Sequence, residues 1–281
     1  MAGTAPTSAP TGTLDGWARS TFTGGGITHD RFEKGSGPGV VLIPEIPGIT
    51  PEVLGLAEHL VDEGFTVSMP SPFGVPGKPS TVGYTLGTVA KICVTAEFKA
   101  FATDARRPFA DYLRALAVDL ASRTPGHGVG VIGMCFTGGF ALAAAMDDSV
   151  LAAVLSQPAA PFPISRARRL DPSMSTAEFD RVAERADAGS VCALGLRFSE
   201  DAAAPRERFR TIADRLGDAF EVIELDSSPG NAGGFSKGAH SVLTDEVREI
   251  AGQPAFEARA RTVAFLRERL VPARGLDGLS K

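Results

Sequence analysis

The sequence predicts an α/β protein with a mostly parallel central sheet and helices on both faces. Three observations predict it. Short β-branched runs alternate with longer segments of helical periodicity along most of the 281 residues, and strands separated by helices require crossovers that set neighbouring strands parallel. Val40, Val41, Leu42 and Ile43 form an unbroken apolar run, the pattern of a strand buried on both faces. A hydrophobic content of 43% with 22% charged residues belongs to a globular chain that buries a core without covalent staples.

Taken in order, residues 1–20 are rich in Thr, Ala, Gly, Ser and Pro, have no period, and are expected to be a mobile tail. Residues 21–281 are expected to form a single domain. Ile27–Phe32 and Gly39–Ile43 read as the first strands. A helix follows, with Thr50 as its cap, Pro51 in its first position and the stripe Val53, Leu54, Leu56, Ala57, Leu60. Gly64 suits the position past its end, and Phe65–Met69 is the next strand, broken by Pro70 and Pro72. Residues 71–96 carry Gly74, Pro76, Gly77, Pro79, Gly83 and Gly87 and read as a long loop. Phe98–Ser122 is mostly helical, interrupted near Pro108. Strands recur at Val129–Ile132, Leu151–Leu155, Val191–Leu196 and Phe220–Leu225. Helices fall near Thr137–Met146, Thr176–Ala186, Pro205–Leu216 and Ala255–Leu270. Insertions at 71–110 and 157–176 are expected over one edge of the sheet.

Composition excludes several classes of function. A net charge of -5 opposes nucleic-acid and anionic-membrane partners, which require a basic footprint. Three cysteines do not make a disulfide framework, and a reducing, cytoplasmic setting follows. The N-terminal stretch has no basic n-region or apolar h-region, so no secretory signal is expected. No apolar run approaches the ~18 residues of a membrane span. No His, Cys and carboxylate grouping has metal-ligand spacing, no phosphate-binding glycine loop is present, and no cofactor is expected.

The chemistry concentrates in Val129-Gly-Val-Ile-Gly-Met-Cys-Phe-Thr-Gly-Gly139. Gly133-x-Cys135-x-x-Gly138 lies between a buried strand and a helix, where a tight turn lifts one side chain above the sheet. Cys replaces the usual Ser, and Thr137 stands where the second Gly of G-x-S-x-G would be. A thiol at a helix N-terminus is biased toward the thiolate, but hydrolysis also needs a base and an orienting acid. Of four histidines, His29, His59 and His127 sit in strand, helix and turn contexts that suit structural or surface roles. His240 lies in a Gly-rich loop after the last predicted strand, where the base of such a sheet belongs. Asp201 and its neighbour Glu200 follow the strand Val191–Leu196, and either is available as the acid. The chain order of nucleophile, acid and histidine is that of the α/β-hydrolase fold. Cys93 reads as a loop residue and Cys192 as a buried strand residue.

These residues resemble the dienelactone hydrolase family, cysteine-dependent members of the α/β-hydrolase fold. The likeness rests on Gly133-Met-Cys-Phe-Thr-Gly-Gly139, on Ser199-Glu-Asp-Ala-Ala-Ala-Pro205, on Gly238-Ala-His-Ser241, on Val41-Leu-Ile-Pro-Glu-Ile-Pro-Gly48 and on Met69-Pro-Ser-Pro-Phe-Gly74. Together they cover roughly residues 38–270. The resemblance implies Cys135 as nucleophile, His240 as general base and Asp201 as the residue orienting it. It implies that Glu45 contacts the resting thiol and helps it ionise. Backbone N–H groups of Ile46 and Phe136 would form the oxyanion hole, where donors meet the charge developing on the carbonyl oxygen.

One departure concerns substrate. Family members acting on dienelactone bind its carboxylate with arginines, one of them four residues past the histidine, where this chain has Thr244. Lys99, Arg106 and Arg107 are candidates for such binding by proximity only. Phe162–Leu170, with Arg166, Arg168 and Arg169, is a second segment that would reshape the pocket. The expected activity is hydrolysis of a small-molecule ester or lactone through a thioester acyl-enzyme, by a monomer or small homo-oligomer. The alternative is an inert relative that binds or regulates through a small molecule.

Overall fold

The computed structural model describes residues 8–271. In chain order the strands are Ala18–Gly24 (β1), Ile27–Lys34 (β2), Gly39–Ile43 (β3), Thr66–Ser71 (β4), Val129–Met134 (β5), Val150–Ser156 (β6), Cys192–Phe198 (β7) and Phe220–Leu225 (β8). The helices are Pro51–Asp62 (α1), Val82–Val94 (α2), Pro108–Arg123 (α3), Gly138–Ala144 (α4), Arg166–Leu170 (α5), Thr176–Asp187 (α6), Arg206–Leu216 (α7) and Pro254–Leu270 (α8). The strands make one sheet in the order β1-β2-β4-β3-β5-β6-β7-β8. β1 and β2 form an antiparallel hairpin, β2 meets β4 antiparallel, and every later neighbour pairs in parallel.

The central strands are apolar throughout because alternate residues feed two cores. Val41 and Ile43 join Phe109, Leu113, Phe140 and Ile212 of α3, α4 and α7 on one face. Val40 and Leu42 join Leu54, Leu60 and Leu266 of α1 and α8 on the other. α1 begins as the sequence predicts: the Thr50 side chain accepts from Val53 N–H, Pro51 takes the first turn, and Gly64 lies beyond the end at φ +88°. Five fully or nearly fully buried apolar side chains, Val53, Leu54, Leu56, Ala57 and Leu60, then hold it. At about 1.5–3 kcal/mol for each large side chain, that packing outweighs any difference in helix propensity.

Several segments differ from the sequence expectation, and of Phe98–Ser122 only the part from Pro108 onward is helical, as α3. The expected tail extends too far: residues 1–7 lie outside the described residues, but Trp17 is buried and β1 starts at Ala18. Gly12 N–H bonds the Pro51 carbonyl at 2.8 Å, and the Trp17 indole bonds Glu58 at 2.7 Å. β1 is an edge strand exposed along nearly all its length, so it carries no apolar alternation to read. The expected loop at 71–96 contains the helix α2, and with it Cys93. Thr81 caps α2 by accepting from Tyr84 N–H, and only Thr88 and Ile92 of the helix are buried. Its two glycines and scant buried face hid it. Pro70 does not end β4; it lies past the last β3 partner, Ser68, where no parallel ladder needs its missing N–H.

The two insertions meet above the carboxyl end of β5. Arg168 donates to the Phe101 carbonyl, the Phe101 and Phe162 rings lie 5.4 Å apart, and Asp104 N–H bonds Asp171 at 2.7 Å. Phe136, the residue after Cys135, has the rings of Phe73, Phe98 and Phe162 at 6.4, 5.5 and 5.9 Å.

Candidate active site

At the end of β5 the chain turns sharply. Cys135 adopts φ +52°, unusual for a residue with a Cβ, and Cys135–Thr137 form one 3-10 turn leading into α4. The flanking glycines are required by space. A Cβ on Gly133 would lie 2.3 Å from the Thr137 carbonyl oxygen, and one on Gly138 would lie 2.7 Å from Pro158 Cα. Thr137 explains its own departure from the usual glycine. Its buried hydroxyl accepts from Met134 N–H at 3.0 Å and donates to the Met134 carbonyl at 2.8 Å, with the Pro44 carbonyl at 3.2 Å. The hydroxyl thereby closes the turn and sets it against the end of β3. Cys135 is a free, half-buried thiol, and its carbonyl accepts from Ala159 N–H at 2.8 Å.

His240 and Asp201 come from separate loops. Asp201 follows β7, is buried, and is held by Ala203 N–H at 2.9 Å on Oδ1. Its Oδ2 lies 2.7 Å from His240 Nδ1. Arg197 fixes this loop from below by donating to the Ala204 carbonyl at 3.0 Å. Glu200 is exposed and its backbone N–H bonds Ser227, so the structure brings Asp201 and not Glu200 to the imidazole. Burial of His240 opposes its charged form, but the Cys135 sulfur and the Asp201 carboxylate outweigh it and hold the imidazolium well above its ordinary range. Phe136 N–H lies in the first turn of the helix that follows β5, and Ile46 N–H just past the end of β3. The first N–H groups of a helical turn have no partner within it.

The other histidines are elsewhere. His29 packs on Phe109 and Tyr112 beside Glu97, His59 is half-buried near Arg259, and His127 is exposed. Lys99, Arg106 and Arg107 each bond within their own segment. Lys99 donates to the Arg106 carbonyl, Arg106 pairs with Asp111, and Arg107 is buried against the Phe140 ring with its guanidinium on the Ala102 and Ala105 carbonyls. Arg166–Leu170 is the short helix α5, whose Arg169 pairs with Glu207.

Glu45 follows β3 and is buried. Where the resemblance implies a contact with the resting thiol, its hydrogen bonds run to Ser241 Oγ at 2.8 Å, to the Thr244 hydroxyl and to Gln157 Nε2 at 3.2 Å. Sequence reasoning missed Gln157, although its place just past β6, at the carboxyl edge, was a usable signal. It also missed Arg208, which reads as one more charged residue on a surface helix.

The neighbouring Asp245 is pushed up to about 7, by burial first and then by Glu45, Glu52 and Glu246, with His240 acting in the opposite direction. An acid that titrates higher in the folded chain than its ordinary 3.8 loses stability for the fold as pH rises between those two values. Asp245 is exposed to solvent, and screening there leaves only a fraction of that effect, so Asp245→Asn is expected to raise the melting temperature at pH 8 by about a degree, with a smaller gain at pH 4. Thermal melts across pH check this, and a gain independent of pH would contradict it.

A mostly parallel sheet with this strand order, carrying a residue at a strained strand–helix turn and a histidine held by a carboxylate, defines an α/β-hydrolase. The chain belongs to the dienelactone hydrolase family, whose model matches residues 29–268; the protein is a hydrolase of that family. Solved structures with the same fold include a proposed dienelactone hydrolase from Klebsiella pneumoniae, 18% identical with TM-score 0.60 over 90% of this chain and 98% of that one. A dienelactone hydrolase-like promiscuous phosphotriesterase from metagenomic libraries is 15% identical, with TM-score 0.62 over 90% and 98%. An α/β-hydrolase from Penicillium sp. sh18 is 15% identical, with TM-score 0.55 over 90% and 99%. No curated protein matches the chain. Among the described residues, no helix is long and apolar enough to cross a membrane.

Proposed function

We propose that the protein hydrolyses a small-molecule carboxylic ester or lactone through Cys135, His240 and Asp201. The observation that carries this reading is the Cys135 thiol on a turn at φ +52°, with the His240 imidazole held by Asp201 at 2.7 Å. The sulfur adds to the substrate carbonyl carbon, and the oxygen that becomes negative is received by the N–H groups of Ile46 and Phe136. Collapse breaks the carbon–oxygen ester bond. His240 gives its Nε2 proton to the departing oxygen, leaving a thioester on Cys135 and a neutral imidazole. Water then adds to the thioester as His240 takes its proton. Breaking the carbon–sulfur bond releases the acid and restores the thiolate–imidazolium pair. Asp201 keeps Nδ1 protonated throughout, so Nε2 is the nitrogen that exchanges protons. Three free cysteines suit a reducing compartment.

Acid quenching during turnover of p-nitrophenyl acetate is expected to trap one acetyl group on Cys135, read by intact-mass and peptide mass spectrometry. An absence of adduct, with no turnover across a broad ester panel, would favour a binding or regulatory protein.

A further inference from the structure

We propose that Glu45 and Gln157 form a buried clamp that positions the His240 loop, with Glu45 acting on the histidine and not directly on the thiol. The inference deepens the proposed function and rests on that reading. Glu45 spends both oxygens on the segment that immediately follows His240: Oε2 accepts from Ser241 Oγ at 2.8 Å, and Oε1 from the Thr244 hydroxyl. Gln157 closes the ring. Its Nε2 donates to Glu45 Oε2 at 3.2 Å, and its Oε1 accepts from Val242 N–H at 3.3 Å and from the Ser156 hydroxyl.

All the participating side chains are buried, and Gln157 is fully so. Gln157 also adopts φ +36°, an orientation a residue with a Cβ keeps only when its surroundings impose it. Its own N–H bonds the Leu196 carbonyl at 2.7 Å, which ties it to β7, the strand that leads to Asp201. Two residues on, Ala159 N–H bonds the Cys135 carbonyl at 2.8 Å. One side chain and its segment therefore touch the ends of β3 and β7, the thiol-bearing turn and the histidine loop.

The loop from residue 226 to 253 contains no regular element. An imidazole on such a segment keeps its orientation only if the neighbouring backbone is anchored, and an imidazole displaced by about 1 Å costs on the order of 100-fold in rate. Ser241 and Thr244 bracket that backbone, and neutral hydroxyl and amide donors occupy Glu45.

The test uses Thr244→Val, which removes one hydroxyl at constant volume, and Glu45→Gln, with Gln157→Met as a third variant. Each is measured for kcat and KM on p-nitrophenyl acetate, for the pH profile of iodoacetamide alkylation at Cys135, and for melting temperature. Positioning predicts that Thr244→Val lowers kcat about 10- to 100-fold with KM within about twofold, and shifts the alkylation profile in the same direction as Glu45→Gln. The Thr244→Val/Glu45→Gln pair should then be no worse than Glu45→Gln alone, because both act through one contact. The proposal is overturned if Thr244→Val is folded with wild-type kcat and alkylation profile while Glu45→Gln alone alters them, since Glu45 would then act directly on the thiol. A lowered melting temperature with unchanged kcat and alkylation profile also overturns it, as a purely structural role. Alkylation reports on Cys135 and its imidazole without turnover, so the clamp remains testable even if the ester chemistry fails.

Discussion

Cys135→Ala is expected to lower kcat/KM for p-nitrophenyl acetate by at least about 10³-fold, with the remaining rate supplied by the oxyanion donors and substrate binding. The loss should be of the same order for His240→Ala, because a thiol without its proton partner neither ionises in place nor discharges the leaving group. Asp201→Asn should lose somewhat less, roughly 10²- to 10⁴-fold, since it permits the wrong imidazole tautomer while the rest of the site survives. In the proposed mechanism the three residues act as one unit, so the Cys135→Ala/His240→Ala double variant should be no slower than the worse single. Steady-state kinetics on the folded variants checks this. A Cys135→Ala protein as fast as wild type would remove the thiol from the mechanism outright, whatever the geometry around it.

Arg208→Met is expected to cost about 3–5 kcal/mol of stability and to lower the melting temperature by about 10 °C. Arg208 is fully buried on α7. Its guanidinium donates to the carbonyls of Asp171 at 2.8 Å, of Pro161 and Arg168 at 2.7 Å each, and of Pro158. Burial pulls its titration down to about 9, opposed by Asp171 and aided by Arg107 and Arg169. A base whose folded titration lies below its ordinary value weakens the fold at neutral pH, so removing the charge recovers some desolvation energy. Against that stand four carbonyls left without a donor, at about 1–3 kcal/mol each, and that sum is the larger. Lysine should not rescue, because a single ammonium does not span a four-carbonyl fork. The segment Arg208 holds includes Pro158, between Gln157 and the Ala159 that bonds Cys135, so activity should fall with stability. A melt within about 2 °C of wild type would contradict the assignment.

Much of the fold was legible. The run Val40–Ile43, the Thr50-Pro51 start of α1 and the four later strands each follow a local rule of period, capping or burial, and the structure keeps them within a residue or two. β1 and α2 were not legible, for one shared reason. Both are weakly buried, so neither leaves the apolar stripe on which periodicity depends. The elbow was legible because its steric demands act between neighbours: Gly133 and Thr137 are four residues apart and in contact. Residue types alone left Glu200 and Asp201 both open as the acid, because two adjacent carboxylates on a loop differ in direction and not in local chemistry; only the resemblance singled out Asp201.

By itself the sequence determined the alternation of strand and helix, the sharp turn at Cys135, and the chain order of thiol, carboxylate and imidazole. These depend on residues near one another along the chain. Only the tertiary structure decided that Asp201 faces His240 and that Glu45 reaches 196 positions along the chain to Ser241. Hydrogen bonds and ion pairs between distant loops depend on where the packed sheet brings its strand ends, and no local pattern encodes that meeting.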